Sequence, residues 1–260
     1  MIQRLTLVLL ILVATPVTFA MGNHSAPKGS KDHNRFIKEL RETYPVIALA
    51  PTELPQELRS QEAIDALEAE LTRKLGFKEY TVIPAAVYAE LWQKELEALG
   101  GIYDPITGQL IPENLLVAKA RVRATMVESH DVDAFLETSV VERDAAYLGT
   151  VITYGGVKEK AYVKGPSWGT SDVAMGVLRA LFLTAELVTP EGNVLYENAG
   201  GIQLRFKESQ DDVVITPVEE LLAVQEYNRT AAHLALRGML YDYRTLSRDI
   251  RARKTENARK

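Results

Sequence analysis

One short stretch of the chain has the spacing of a catalytic nucleophile. Residues 165–169 read Gly-Pro-Ser-Trp-Gly, and in this G-x-S-x-G pattern a serine on a sharp strand-to-helix turn attacks an acyl carbon. A plausible strand at 157–163 precedes the motif, and Asp211 or Asp212 followed by His233 has the chain order of the remaining triad groups. The motif therefore raises serine hydrolase chemistry as one hypothesis.

Three features of the sequence oppose that chemistry. Pro166 has a fixed φ that fits a strained turn poorly, and no HGGG-type loop lies upstream to form an oxyanion hole. His233 falls within a predicted helix, whereas a triad histidine usually lies on a loop. The sequence therefore favours a protein that is not an enzyme, with a secreted hydrolase that uses Ser167 as the alternative.

Metal, thiol and nucleotide chemistry have no motif in this chain. There is no cysteine, and the histidines are too dispersed for a ligand pattern such as H-E-x-x-H. The four histidines are His24, His33, His130 and His233. Neither a G-x-x-x-x-G-K-S/T loop nor a G-x-G-x-x-G turn occurs, so we predict no metal site, no cofactor and no nucleotide site.

Three side chains have the character of contact residues rather than of reactive groups. Tyr103 and Asp104 lie in the loop 100–108, whose glycines and proline favour turns, and they could present an aromatic face and a carboxylate to a partner. Trp168 lies close to two glycines and is a third candidate for binding. The alternatives are an ordinary surface turn for the loop and an aromatic ring packed over a loop for Trp168.

The first 20 residues have the composition of a secretory signal peptide. Arg4 supplies positive charge, residues 5–17 are uncharged and mostly apolar, and Ala20 is a small residue suited to cleavage. The apolar run is shorter than the roughly 20 residues of a membrane-spanning helix, so we favour cleavage over an uncleaved anchor. Without a cysteine there is no thiol for lipidation. We expect a periplasmic protein with no stable membrane anchor.

The rest of the chain has the composition of a globular domain with polar ends. Of the 260 residues of the whole chain, 47% are hydrophobic, and its net charge of −5 gives no basic field to attract nucleic acid. Residues 21–31 are small and polar and predict a disordered leader. Residues 32–246 predict a single α/β domain. Residues 247–260 form a basic tail, in which six basic residues stand against two acidic ones.

The first half of the predicted domain alternates helices with short strands. Residues 46–50 are an apolar run between two prolines and predict a central strand that is buried on both faces. A second short strand is predicted at 80–83, and the alternation favours parallel pairing. Capping residues and apolar spacing predict helices at 32–44, 60–76, 84–99 and 112–129. For the last of these a strand is the alternative.

The second half changes to the period-two pattern of antiparallel strands. Residues 181–188 alternate between an apolar side and a mixed side, and residues 189–193 suit a tight reversal. The next strand continues to residue 206 past Gly200 and Gly201, which permit a bulge or a second turn. Further strands are predicted at 135–141, 149–154 and 157–163, with a closing helix at 218–246.

Together these elements predict an α/β or α+β fold. Its central sheet is mixed, with parallel amino-terminal strands and an antiparallel carboxy-terminal meander, and helices pack on the sheet. The order of elements over residues 44–246, with TPEGNVLYENAGG at 189–201, resembles the TolB amino-terminal-like periplasmic α/β family. That family includes curli-secretion lipoproteins and lipoprotein activators of penicillin-binding proteins. The stretches GGIYDPITG and ALFLTAELVTPEGNVLYENAGGIQL are also similar to stretches of uncharacterised exported proteobacterial proteins.

The resemblance implies an envelope adaptor that contacts another protein. Its lipoprotein members carry a lipidated cysteine that this chain lacks, so their outer-membrane anchoring does not transfer to it. We therefore expect a non-enzymatic periplasmic protein that acts by protein–protein contact in cell-envelope assembly, stabilisation or transport. Two alternatives stay open: a secreted serine hydrolase that uses Ser167, and a periplasmic protein that binds a small ligand between sheet and helices.

Overall fold

The fold is taken from a computed structural model, which describes residues 30–148, 151–160, 175–208 and 213–242. Several features predicted from the sequence lie outside these ranges. They are the signal segment, all but the last two residues of the leader, the motif that contains Ser167 and Trp168, the acidic pair at 211–212, and the basic tail.

Five helices and nine strands make up the described parts of the chain. The first half contains α1 (Ser30–Thr43), β1 (Val46–Leu49), α2 (Gln61–Gly76), β2 (Thr81–Ile83), α3 (Ala85–Leu99) and α4 (Pro112–His130). The second half contains β3 (Ala134–Leu148), β4 (Val151–Tyr154), β5 (Val157–Lys160), β6 (Met175–Val188), β7 (Val194–Leu204), β8 (Phe206–Glu208), β9 (Val213–Ile215) and α5 (Gln225–Leu240).

Seven strands form one mixed sheet organised around the long strand β3. One edge of β3 pairs with β6 along its length, and β6 pairs in turn with β7, both in antiparallel orientation. The other edge pairs with β1 at its start, in parallel, and with β4 at its end. β2 extends the sheet beyond β1 in parallel, and β5 extends it beyond β4. The predicted mixed sheet with parallel amino-terminal strands is therefore confirmed.

The two faces of the sheet bury separate hydrophobic clusters. On one face α2 and α5 cover the apolar side of β6 that the sequence predicted. Its residues Leu181, Leu183, Ala185 and Leu187 are all fully buried. On the other face α3 and α4 cover the start of β3, where Tyr88 and Met126 pack near Phe135. A third cluster lies where the β4–β5 hairpin folds over β6 and β7, and it includes Tyr154 and Phe182.

Local sequence signals account for several element boundaries. The Ser60 hydroxyl accepts a hydrogen bond from the Ala63 amide at the start of α2, as expected of an N-cap. The segment at 112–130 is a helix and not the alternative strand. Gly200 and Gly201 lie within β7 with no second turn, and the ladder with β6 shifts register beside them. The bulge alternative is therefore the correct one.

Three predicted boundaries were wrong. The strand predicted to continue to residue 206 ends at Leu204, and Phe206 begins β8, which pairs with β9 in a separate two-stranded sheet. β3 extends to Leu148, well beyond residue 141, because Arg179 and Arg205 pair with the Glu142 carboxylate and make that charged stretch compatible with a strand. The closing helix does not begin at 218. A short 3-10 turn follows Pro217, Leu222 has a φ of 66°, and α5 begins at Gln225.

Candidate functional site

A cleft opens where β1 ends partway along the longer strand β3. Pro51 lacks a backbone amide and cannot continue the ladder, but the next residues stay attached to β3. The Glu53 amide donates to the Thr138 carbonyl at 2.9 Å, and the Val140 amide donates to the Glu53 carbonyl at 2.7 Å. The carboxyl ends of parallel strands are where ligands commonly bind in α/β sheets, so this edge is the natural place for a site.

The cleft has a volume of about 330 Å³, which is at the small end of the range for ligand pockets. Its lining combines aromatic rings, hydroxyls and charged groups. The residues that line it are Ala50, Pro51, Glu53, Tyr88, Trp92, Lys119, Glu137, Thr138, Ser139, Thr184 and Glu186. They come from the segment after β1, from α3 and α4, and from β3 and β6.

The sheet contributes two carboxylates in opposed positions. Glu137 on β3 pairs directly with Glu186 on β6, and Glu186 is in turn opposite Glu197 on β7. Like charges in directly opposed positions destabilise a sheet. Two residues further along the β3–β6 ladder, on the same face, the Ser139 and Thr184 hydroxyls lie 2.7 Å apart. The floor of the cleft is therefore polar and negatively charged.

α4 neutralises only one of these carboxylates. Arg123 lies 2.6 Å and Lys119 3.3 Å from oxygens of Glu137. Burial by itself would raise the pKa of Glu137, but the hydrogen bonds and positive charges of Arg123 and Lys119 outweigh it and the pKa is lowered. Glu137 is therefore ionised and held by two cations.

Glu186 has a different environment. Its pKa is raised, first by burial and then by the negative charges of Glu197 and Glu137, with only a weak opposing effect from Lys119. Within the described parts of the chain, no hydrogen bond or ion pair engages the side chain of Glu186 or that of Glu53. Among the residues that the structure describes, the cleft thus contains two carboxylates that no cation contacts.

α3 provides the aromatic wall of the cleft. The Tyr88 and Trp92 rings stack with centroids 6.4 Å apart and an interplanar angle of 26°. The Tyr88 ring also meets Phe135 edge-on, which fixes it to the core. Burial and, to a smaller extent, the negative charge of Glu137 raise the pKa of the Tyr88 hydroxyl to about 12. The rings therefore border a region of negative potential.

A second candidate surface is the loop between α3 and α4, which the sequence singled out. Tyr103 forms a bridge with Leu110, and the Asp104 carboxylate accepts hydrogen bonds from the Ile106 amide at 2.9 Å and the Thr107 amide at 2.7 Å. These amides lower the pKa of Asp104. The Asn114 side chain ties the loop back through the Gly101 carbonyl. The loop is therefore a rigid turn.

This turn exposes apolar side chains. Ile106 at its tip is 92% exposed and Tyr103 is 58% exposed, and Leu110 and Leu116 nearby in the chain are also exposed. The Tyr103 ring is therefore accessible on the surface of the loop. The Asp104 carboxylate is engaged by its own turn, so its observed role is to shape the loop. Whether either residue binds a partner stays a prediction.

Two of the three described histidines contact the same residue, Tyr241. His33 is buried in α1, with Nε2 2.9 Å from the Tyr241 carbonyl oxygen, and His130 ends α4. The ring of His233 packs edge-on against Tyr241. Within the described ranges no three His, Asp or Glu side chains could hold a metal ion. Ser167 and Trp168 lie outside those ranges, so their predicted roles stay predictions.

The cleft residues were not predicted as a site from their positions in the sequence. Glu137 lies next to the apolar segment 134–136, and Glu186 lies on the mixed side of the alternating segment 181–188. Each was a signal of a carboxylate within a strand of the sheet. Lys119 and Arg123 are four residues apart and so share one side of α4. Their convergence depends on the pairing of β3 with β6, which sequence spacing alone does not provide.

Comparison with known proteins does not assign a family. No protein-family model matches the chain, and no curated protein matches it in sequence. Among solved structures it is similar to the lipoprotein GNA1162 from Neisseria meningitidis, with a TM-score of 0.31, 16% identity, and coverage of 68% of this chain and 92% of that one. It is also similar to a neuraminyllactose-binding hemagglutinin homolog from Helicobacter pylori, with a TM-score of 0.33, 11% identity, and coverage of 76% and 84%.

Both TM-scores are too low to carry an argument about function. The resemblance to the TolB amino-terminal-like family accordingly stays a proposal. Within the described ranges, no helix has the length and apolar character needed to cross a membrane.

Proposed function

We propose that the chain is a non-enzymatic periplasmic protein that acts by protein–protein contact in the cell envelope. The cellular setting comes from the signal segment predicted at residues 1–20 and from the resemblance to the TolB amino-terminal-like family. The contact surface that we assign is the apolar loop, defined as residues 102–111 between α3 and α4.

The observation that carries this proposal is an apolar tip on a rigid turn. Ile106 is 92% exposed, and the turn beneath it is fixed by two hydrogen bonds to the Asp104 carboxylate. Single exposed apolar residues are common on protein surfaces. Tyr103 and Leu110 in the same turn are also exposed. Three exposed apolar side chains on one fixed turn are less common than a single one, because holding them in place without burying them does not stabilise the fold.

Rigidity makes such a loop well suited to association. Since the turn is already formed, binding loses less conformational entropy than it would with a flexible loop. Tyr103 adds an aromatic ring of the kind that dominates the energy of many interfaces. The partner that fits this surface is an envelope protein with a concave apolar pocket, which would bury Ile106 and pack against Tyr103.

Co-purification from the source bacterium tests the proposal. We expect an envelope protein to co-purify with the wild type and to be lost with Ile106→Asp, because a carboxylate at the tip cannot enter an apolar pocket. Phe77→Asp, which adds the same charge at an exposed apolar side chain outside the loop, is the matched control and should retain the partner. A partner that binds both variants equally well would remove the loop from the proposal.

A serine-reactive activity probe tests the competing enzyme hypothesis. We expect no labelling of the purified protein at Ser167. Labelling of the wild type that disappears in Ser167→Ala would replace the adaptor function with hydrolase chemistry.

A further inference from the structure

The cleft beside β3 has the features of a ligand site that is separate from the apolar loop. It combines a volume of about 330 Å³ with stacked aromatic rings on one wall and carboxylates on the floor. Ligand pockets commonly combine apolar surface with a few placed polar groups in this way. The chemistry of the lining decides which class of ligand it suits.

The charges in the lining favour a cation. Glu53, Glu137 and Glu186 line the cleft, against the single cation Lys119. Lys119 is already 3.3 Å from Glu137, which Arg123 also holds. The carboxylates of Glu53 and Glu186 have no such partner among the described residues. An anionic ligand would meet this negative potential with no free cation in the lining to bind it.

The sheet itself carries an unfavourable arrangement that a bound cation would relieve. Glu186 lies between Glu137 and Glu197 in the ladder, directly opposite both. Opposed like charges weaken strand pairing. Departures of this kind from a stable design are typical of functional sites. A positive charge beside Glu186 would turn that repulsion into attraction.

The aromatic wall indicates an organic cation and not a metal ion. No three carboxylates or imidazoles converge closely enough for a metal within the parts of the chain that the structure describes. Instead, the stacked rings of Tyr88 and Trp92 border the charged floor. The face of an indole attracts ammonium groups through its quadrupole and also packs against alkyl carbon.

We propose that the cleft binds a small organic cation of the alkylammonium class, with its charged nitrogen held by Glu186 and Glu53 and its carbon atoms packed against Trp92. The Ser139 and Thr184 hydroxyls at the floor supply further acceptors for ammonium N–H groups. This proposal does not depend on the apolar loop or on the function proposed above.

Nuclear magnetic resonance of the purified protein provides a direct test. The chain has two tryptophans, so a Trp168→Phe variant assigns the indole N–H signal of Trp92 in proton–nitrogen spectra. The probes are n-butylammonium and tetramethylammonium chloride. The comparison compounds are tert-butanol, which is neutral, and sodium butyrate, which is anionic. We expect both cations to shift the Trp92 signal saturably and neither comparison compound to do so.

Single substitutions in the lining of the cleft then test where the cation binds. Glu186→Gln should weaken n-butylammonium binding about tenfold, the loss expected when a charged hydrogen-bond partner is removed. Trp92→Leu, whose affinity is measured by titration calorimetry because the indole reporter is lost, should weaken binding about two- to fivefold. The matched control is Glu90→Gln on α3, which removes the same charge from an exposed carboxylate that pairs with Lys94, and affinity should stay within twofold of the wild type.

The unfolding temperature of each variant shows whether it remains folded. Glu186→Gln removes a repulsive charge, so we expect it to fold at least as well as the wild type. The proposal is overturned if neither cation binds, if tert-butanol binds as tightly as the cations, or if Glu186→Gln and Glu90→Gln have the same effect on affinity.

Discussion

Glu137 on β3 and Glu186 on β6 are directly opposed carboxylates, but only Glu137 is held by cations. Arg123 and Lys119 reach it from α4 at 2.6 and 3.3 Å. The pKa of Glu137 is accordingly lowered and the pKa of Glu186 raised. Two chemically identical side chains in one ladder therefore make opposite contributions to stability, and this asymmetry can be measured.

The first prediction concerns Glu186→Gln. Without its charge, the repulsion from Glu137 and Glu197 is lost, so we expect the free energy of unfolding at neutral pH to rise by about 0.2–1 kcal/mol. Because the pKa of Glu186 is raised in the folded state, its ionisation destabilises the fold. The gain over the wild type should thus be full above the folded pKa and disappear below the ordinary value of 4.5.

Urea unfolding of both proteins across that pH range measures this difference. Glu90→Gln serves as the control, because Glu90 pairs with Lys94 on an exposed surface and its loss should bring no gain at any pH. A Glu186→Gln variant that is less stable than the wild type at neutral pH would contradict the assigned repulsion.

The second prediction concerns Arg123→Met. Only 12% of the Arg123 side chain is exposed, so its loss leaves Glu137 with one weaker partner, and we expect a destabilisation of about 1.5–3 kcal/mol. Since the folded-state pKa of Glu137 is lowered, the pair stabilises the fold above the ordinary pKa of 4.5. That stabilisation is lost as the pH falls through the folded value.

Arg121→Met is the matched control for this effect. Arg121 lies on the same helix but is more exposed and pairs with Glu95 at 3.4 Å, so its removal should cost no more than about 1 kcal/mol. Equal losses of unfolding free energy in the two variants at pH 7 would show that the Arg123–Glu137 pair stabilises the fold no more than the exposed Arg121–Glu95 pair does.

The third prediction concerns the packing of α5 on β7. A Cβ at Gly200 would lie 2.1 Å from the Ala231 carbonyl oxygen and 2.9 Å from the Ala235 nitrogen, so Gly200→Ala must push the helix from the sheet. We expect a loss of at least about 1–3 kcal/mol in the free energy of unfolding. Gly76→Ala at the end of α2, where a Cβ meets nothing within 4 Å, should be neutral or slightly stabilising. Thermal and urea unfolding measure the stability of both variants. Equal stabilities would contradict the close packing of α5 on β7 at Gly200.

The fourth prediction concerns the rigidity of the apolar loop. Asp104→Ala removes the acceptor of the Ile106 and Thr107 amides, so both amides should exchange faster with deuterated solvent, while the helices on either side keep their protection. Partner recovery should fall as well, because the turn must then be ordered during binding. Unchanged exchange at both amides would show that the carboxylate does not fix the turn.

The sequence was most informative where a local pattern decides the structure. The apolar run 46–50 between two prolines indicated a buried strand, and the alternation in 181–188 indicated which side of β6 packs against α2 and α5. The closing helix was predicted too long because residues 218–224 have helical apolar spacing. Their structure is instead set by Pro217 and by the positive φ of Leu222. The side-chain amide of Asn228 also donates to the Leu222 carbonyl at 2.8 Å.

The candidate site was less predictable than the fold. The loop containing Tyr103 and Asp104 was visible from its glycines and proline, although the part played by Asp104 in the turn depends on backbone geometry. The cleft depends on contacts between distant segments, since Glu53 reaches β3 only because the chain after Pro51 stays attached to that strand. The spacing of residues in the sequence does not reveal contacts between segments that are far apart in the chain.

Site-specific photocrosslinking tests the central claim of a protein contact at the apolar loop most directly. A benzophenone amino acid replaces Ile106 in the source organism, and in a parallel strain it replaces Phe77, an apolar residue that is 75% exposed after α2. We predict a discrete covalent adduct with an envelope protein from position 106, which is absent or much weaker from position 77. No adduct from position 106, or the same adducts from both positions, would contradict the account.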